Sequence, residues 1–241
     1  MRNIGIIMRR ELGAYLRTPS GYLIAAATLL VQGLLFNTRG LGGGAKLSSQ
    51  VLQDFLRDSS GTVTVAAVLL AMRLFAEERQ SGTLVLLYTS PVREYEIVLG
   101  KFLSAFSVIA LMTALTIYMP LLILVNGKVS WGQVGVGYLG LLLLGAAATS
   151  IGLFGSALAR SQVIAAVIGT AILVVMLLLW LVARAVEPPL NTFIARLALH
   201  HENFRPFMQG ILELRGVVYY VSISYFFLLA ATKTLEARRW R

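Results

Sequence analysis

The chain has 241 residues, of which 57% are hydrophobic and 13% charged, with a formal net charge of +10 and no cysteine. Soluble domains carry roughly 25% charge, so this sequence has too little polar surface for a water-exposed globule, and lipid is its expected solvent. The missing cysteines exclude disulfides and thiolate metal sites, and the basic excess reads as contact with anionic lipid headgroups rather than with nucleic acid. In chain order, "NIGIIMRRELGAYLRTPSGY" places Ile4, Ile7, Leu12, Tyr15 and Leu16 among arginines, and Pro19 stops the helix. Such a basic amphipathic helix over residues 1–20 is expected to lie in the membrane interface. It does not have the form of a cleaved signal peptide.

Six apolar runs follow, at 21–36, 62–76, 102–125, 133–158, 163–183 and 217–232. A span needs about 20 mostly apolar residues, so the reading is an all-α membrane protein with six transmembrane helices in a single domain, 1–241. Six spans put both termini on one side. Arg2, Arg9, Arg10 and Arg17, then Arg73, Arg79, Arg93 and Lys101, then Arg160 and Lys233, Arg238, Arg239 and Arg241 fall on that side. They outnumber the cations of the other face, which makes it the cytoplasmic one by the positive-inside rule.

Between the first two runs, 37–61 holds a glycine cluster and then a short amphipathic stretch with Leu47, Val51 and Phe55 on one face, expected as a separate surface helix. "GLGGGAKLSS" resembles a phosphate loop but fails it. Ala45 stands where the last glycine belongs and Leu47 where the magnesium-binding hydroxyl belongs. Nucleotide chemistry is therefore expected in another chain. Pro120 is expected to kink the third span. In the fourth, Gly145, Ala148, Gly152, Gly155 and Ala159 recur at spacings of three and four, which aligns small residues for close helix packing. The loop 184–215 begins at Pro188 and Pro189 and carries an amphipathic pattern expected at the outer membrane surface. His200 and His201 are adjacent, so their rings diverge and do not form the i, i+4 pair that shares a metal ion. No metal site and no catalytic constellation is read.

The densest charge lies in "FAEERQSGTLVLLYTSPVREYEIVLGKF", Phe75 to Phe102. Glu77, Glu78 and Arg79 prolong the second span past the membrane, where they are solvated or face a partner. Gly82 permits a turn. Thr83 to Tyr88 is apolar but too short to stand alone as a helix in water. Ser90 can cap a new helix with Pro91 at its first position, leading into the third span. The spans themselves carry almost no ionisable residue, which argues against a proton-coupled secondary transporter or a charged channel.

This stretch closely resembles the cytoplasmic loop of type-2 ABC exporter permeases, nearest to those of gliding motility and nitrous-oxide-reductase maturation. The resemblance extends to "GLFGSALARSQVIAAV" and to residues 204–240. It implies a permease subunit of the bacterial cytoplasmic membrane that pairs with a second, identical or homologous permease. Two separate ATPase subunits, which hold the ATP and magnesium, would dock beneath the pair. It also implies that residues 75–95 form a coupling helix, with Glu77, Glu78, Arg79, Gly82, Thr83 and Leu84 as its signature and Ser90, Pro91, Gly100 and Lys101 at its exit. The competing readings are a polytopic membrane enzyme, an assembly scaffold and a secondary transporter. An enzyme would need converging polar groups, and only Arg196, His200, His201, Glu202 and Arg205 offer any.

Overall fold

A computed structural model of the chain describes residues 2–41, 47–83 and 92–239. The glycine cluster at 42–46 and the segment 84–91, with Leu84, Ser90 and Pro91, lie outside the described residues. Among the described residues the fold is helical throughout. Six helical segments are long and apolar enough to cross a membrane: 19–39, 48–80, 94–125, 131–158, 162–185 and 214–238. The chain is thus a multi-pass, all-α membrane protein.

α1 (Arg2–Arg17) ends at Thr18, whose hydroxyl returns to the Ala14 carbonyl at 2.9 Å. α2 (Pro19–Leu35) begins on its proline, where the missing N–H costs nothing. The elbow requires Gly21, because a Cβ there would collide with the Tyr15 carbonyl oxygen. A π-helical turn, Phe36–Leu41, prolongs α2.

α3 (Ser48–Ala71) corrects one expectation. The stretch 47–56 is not a separate surface helix but the first turns of the second span. Val51, Leu52, Phe55, Leu56, Ser59, Ser60 and Val63 form one continuous buried face, so no break follows the polar "RDSSG". Gly61 sits on the open side of the helix, with nothing near its missing Cβ. The span continues past a bend at Met72 into α4 (Arg73–Gln80). Ser156 from a neighbouring helix fills that bend. Its hydroxyl accepts from the Phe75 and Ala76 amides at 3.0 and 3.1 Å and donates to the Met72 carbonyl at 2.8 Å. Freed backbone groups in a membrane protein must find such partners inside the fold.

α5 (Glu94–Leu115) starts later than Ser90 and Pro91 suggest, since Val92 and Arg93 are extended. Glu96 sets the start by reaching back to the Arg93 amide at 3.2 Å, the acidic half of a capping box. The third span breaks at Thr116 and Ile117 before α6 (Tyr118–Asn126). Thr116 lies four residues before Pro120, where the proline ring displaces the helical carbonyl.

α7 (Trp131–Leu158) and α3 are the central helices: 72% of the apolar window of each of these two spans is buried, against 17% for α2 and for α8 (Gln162–Ala185). Glycines let the centre close up. A Cβ at Gly155 would lie 2.8 Å from the Gly169 backbone nitrogen, and one at Gly152 would lie 2.8 Å from the Ala71 Cβ.

Beyond α8, α9 (Leu190–Leu197) buries none of its residues, as a surface amphipathic helix should. The chain then dives back into the bundle, which the expected surface loop did not anticipate. The Leu199 amide bonds to the Met176 carbonyl of α8 at 3.0 Å. Ala198, Leu199, Phe204 and Phe207 are fully buried. Phe207, in the short α10 (Arg205–Met208), packs where Gly140 and Gly216 leave room. α11 (Leu214–Arg239) completes the bundle.

Candidate functional site

Charge concentrates where α1, α4 and α5 meet. Lys101 lies two turns into α5 and is fully buried, although its sequence position reads as loop. Its Nζ donates to Glu11 Oε1 at 3.1 Å, to Glu78 Oε1 at 2.9 Å and to the Leu74 carbonyl at 2.7 Å. An ammonium has three donors, and all three are used. Arg10 Nη2 donates to the same two carboxylates, at 2.7 and 2.9 Å. Two cations and two anions thus form one neutral cluster shared by three helices. The Phe75 ring lies 5.3 Å from Lys101 Nζ. Burial pushes the Glu11 carboxyl up, but the Lys101 charge and hydrogen bonds from Arg10 and Lys101 outweigh it and hold it below its ordinary range. Glu78 Oε2 is buried without a hydrogen-bond partner among the described residues.

α1 is seated on α5 beside this cluster. A Cβ at Gly100 would lie 2.8 Å from the Ile7 Cβ, so the crossing needs glycine there. Asn3 adds donors to Glu96 at 3.2 and 3.4 Å. A second group of contacts ties the α1–α2 elbow to the bend at Met72. Tyr15 donates its hydroxyl to the Leu70 carbonyl at 2.8 Å. Arg73 lies over the Tyr15 ring at 5.1 Å and donates to Thr18, Ser20 and Glu77.

The adjacent charges of "EER" therefore serve three neighbours, as side chains about 100° apart on a helix must. Glu77 faces Arg73 and water. Glu78 faces α1 and α5. Arg79 turns to the C-terminus of α7 and donates to the carbonyls of Ala157, at 3.2 Å, and Ala159. Arg238 of α11 joins it there, donating to the Leu158 carbonyl at 2.8 Å. These guanidiniums satisfy carbonyls that the helix end leaves unpaired, and their charge suits its negative pole. Gly82, at φ +72°, ends α4, and Thr83 Oγ1 bonds back to the Glu78 carbonyl at 3.3 Å. A cavity of about 180 Å³ opens here among Glu11, Tyr15, Arg73, Glu77, Ser81 and Thr83.

Of the residues expected to couple to a partner, Glu77, Glu78, Arg79, Gly82, Thr83 and Lys101 thus gather at one end of the bundle. The role of Arg10, Glu11 and Tyr15 in the same joint was not foreseen. Its one signal is Lys101 itself, a cation set directly against the apolar run of the third span, where a charge demands partners. The small residues of α7 spread over several neighbours: Gly145 faces Ile109 and Val63, Gly152 faces α3 and Gly155 faces α8. Ala148 and Ala159 are buried beside them.

At the opposite end, His200, His201 and Arg205 line one cavity, whereas Glu202 pairs loosely with Arg215 at 4.0 Å and Arg196 is exposed elsewhere. The two histidine rings do diverge. His200 Nε2 meets the Ser60 hydroxyl at 2.7 Å, and His201 stacks on Trp180 at 4.5 Å.

Six spans, two of them buried at the centre, with amphipathic α1 clamped to one end, define a polytopic membrane protein of the permease kind. The ABC-2 type transporter family model matches residues 2–181, so the chain belongs to that family and is a membrane permease component of an ABC transporter. The match ends before the re-entrant segment and the last span. No curated protein matches the chain.

Proposed function

We propose that this permease exports its substrate across the bacterial cytoplasmic membrane, with both termini cytoplasmic, driven by separate ATPase subunits that dock at the α1–α4–α5 end. A second permease subunit, identical or homologous, completes the path. Within the family, the chain groups with the gliding-motility and nitrous-oxide-reductase-maturation permeases. The small residues of α7 serve as its packing seam.

The observation that carries this reading is the cluster of buried Lys101 with Glu78 and Glu11, closed on its outer side by the exposed Arg10. In the sequence, residues 84–91 link α4, which carries Glu78, to α5, which carries Lys101, and "TLVLLY" is apolar where water is expected. A partner cleft is the natural cover for such a segment. A push on it is delivered to α4, α1 and α5 together, because one ammonium and one guanidinium hold all three. Interior joints of this kind are bistable rather than continuously deformable.

Gly82 offers the cleanest test. Its positive φ excludes a β-branched side chain, yet a Cβ there would meet nothing among the described residues. Gly82→Val should re-aim the coupling segment without disturbing the bundle. In vesicles holding the permease with its ATPase, this variant is expected to keep ATP hydrolysis and lose most substrate export. Wild-type export by Gly82→Val, or a chain that binds no ATPase, would sink the assignment.

A further inference from the structure

The cavity at the end opposite the Lys101 cluster has the chemistry of a ligand site. It measures about 540 Å³, within the range of small-molecule pockets. α3 contributes Gln53 and Arg57, one turn apart. α8 contributes the apolar wall of Leu177, Leu178 and Trp180. The re-entrant segment contributes His200, His201, Arg205 and its neighbours to Gln209. No carboxylate lines the cavity. Two acids lie just outside the lining: Asp54 pairs with Arg57 at 3.8 Å from one turn earlier on α3, and Glu202 pairs loosely with Arg215 at 4.0 Å.

The walls are fixed before any ligand arrives. His201 stacks on Trp180 at an interplanar angle of 14°, and Trp180 carries Arg184 at 4.6 Å on its ring. Gln133 of α7 holds the Met208 carbonyl at 3.1 Å. The site is also electropositive. Burial, then the nearby charges of His201 and Arg57, push the His200 pKa down to about 4, so the imidazole stays neutral beside the arginines. A lining that combines two guanidiniums with leucines suits a molecule with an anionic head and an apolar tail, since arginine is the preferred donor to phosphate oxygens.

We propose that this cavity binds a phosphate-headed amphiphile, with the phosphate held by Arg57 and Arg205 and the apolar chain lying along Leu177 and Leu178. The inference goes beyond the export reading and does not depend on it, because binding to the purified chain requires no ATPase and no transport.

The full chain, in nanodiscs of uncharged lipid, would be titrated with dihexanoyl phosphatidic acid, with inorganic phosphate and with dihexanoylglycerol, binding being read by calorimetry. The acid should bind, and the glyceride, which lacks the phosphate, should not. Arg57→Gln with Arg205→Gln should weaken the acid by about tenfold or more, the scale of a lost charge-assisted hydrogen bond. Both arginines are exposed, so this variant should fold, and an unchanged melting temperature would verify it. His201→Ala is a second, milder probe of the same wall. Weaker binding of inorganic phosphate assigns the site to lipid-like ligands, and equal binding assigns the same phosphate chemistry to a free anion. Equal binding of the glyceride, or unchanged affinity in the double variant, overturns the proposal.

Discussion

The two ends of the bundle treat charge in opposite ways. At the α1 end, Lys101 is wholly buried and shares Glu11 and Glu78 with Arg10, so four charges from three helices act as one body. At the other end, Arg57 is 62% exposed and, among the described residues, pairs with Asp54 of its own helix. The buried part of the α1-end network transmits displacement, because Lys101 cannot move without stranding Glu11 and Glu78, whereas Arg10 closes it from the water side. An open ring of cations transmits little but can receive a ligand. Both ends use arginine, and the difference lies in the carboxylates that only the first includes, in burial and in how many helices each charge joins.

The strongest way to break this contrast is Lys101→Met, which leaves two carboxylates buried against a single guanidinium. We expect a loss of about 3–5 kcal/mol, the usual consequence of removing one partner of a buried ion pair. It would be read as a large fall in melting temperature in detergent. Combining it with Glu11→Gln and Glu78→Gln removes the stranded charge and should recover much of that loss. If Lys101→Met melts with the wild type, the cluster is not a joint. Next in size is Gly155→Leu, which forces α7 away from the Gly169 backbone at an estimated 1–3 kcal/mol for overpacking. Because that contact lies near the C-terminus of α7, away from the cavity end, melting should suffer while phosphatidic acid binding survives.

The pH dependence of stability separates the ends more finely. His200 is neutral when folded, with its pKa depressed from 6.5 to about 4. A depressed pKa means the unfolded chain binds the extra proton. The stability it confers is complete above about pH 6.5 and is lost as pH falls toward 4. The Glu11 carboxyl is also depressed, from 4.5, so its contribution disappears only below that value. Between pH 6.5 and 4.5 the open end alone should therefore lose stability, on the order of 1 kcal/mol after allowing for its partial exposure. His200→Asn should flatten the melting curve in that window. A slope that persists in the variant would place the sensitive group elsewhere.

These contrasts also show what the sequence could reveal. The spans were legible because about 20 apolar residues in a row have few other uses. The early start of α3 was not, since "RDSSG" looks like punctuation, and only its packing shows Ser59 and Ser60 on the buried face with Leu52 and Leu56. The re-entry after α9 escaped for a similar reason. An amphipathic octet reads the same at a surface or on the way back in, and the Met176–Leu199 hydrogen bond decides between them. In the charged loop, "EER" is the stretch of α4 that reaches the charge cluster and the C-terminus of α7. Its partners Arg10 and Glu11 sit some 70 residues earlier, where α1 reads simply as a basic interfacial helix. Local pattern finds the elements that charge must join, and tertiary contact chooses which charges meet.

The smallest expected effect probes the α1 end away from its network. Arg79 and Arg238 both donate to carbonyls at the C-terminus of α7, from α4 and from α11. Arg238→Gln alone should cost about 0.3–1 kcal/mol, the range for a cation at a helix C-terminus. Arg79→Gln should cost more, because its two carbonyl acceptors also fix α4 beside Glu78. The two serve neighbouring carbonyls of one helix end, so their effects should not add. After the first is removed, the second faces an end already frayed, and a double-mutant cycle should show coupling of 0.5 kcal/mol or more, as about that much is usual for residues in one network. Strict additivity would mean that the two arginines act on separate structures, and that α11 is not part of the joint formed by α1, α4 and α5.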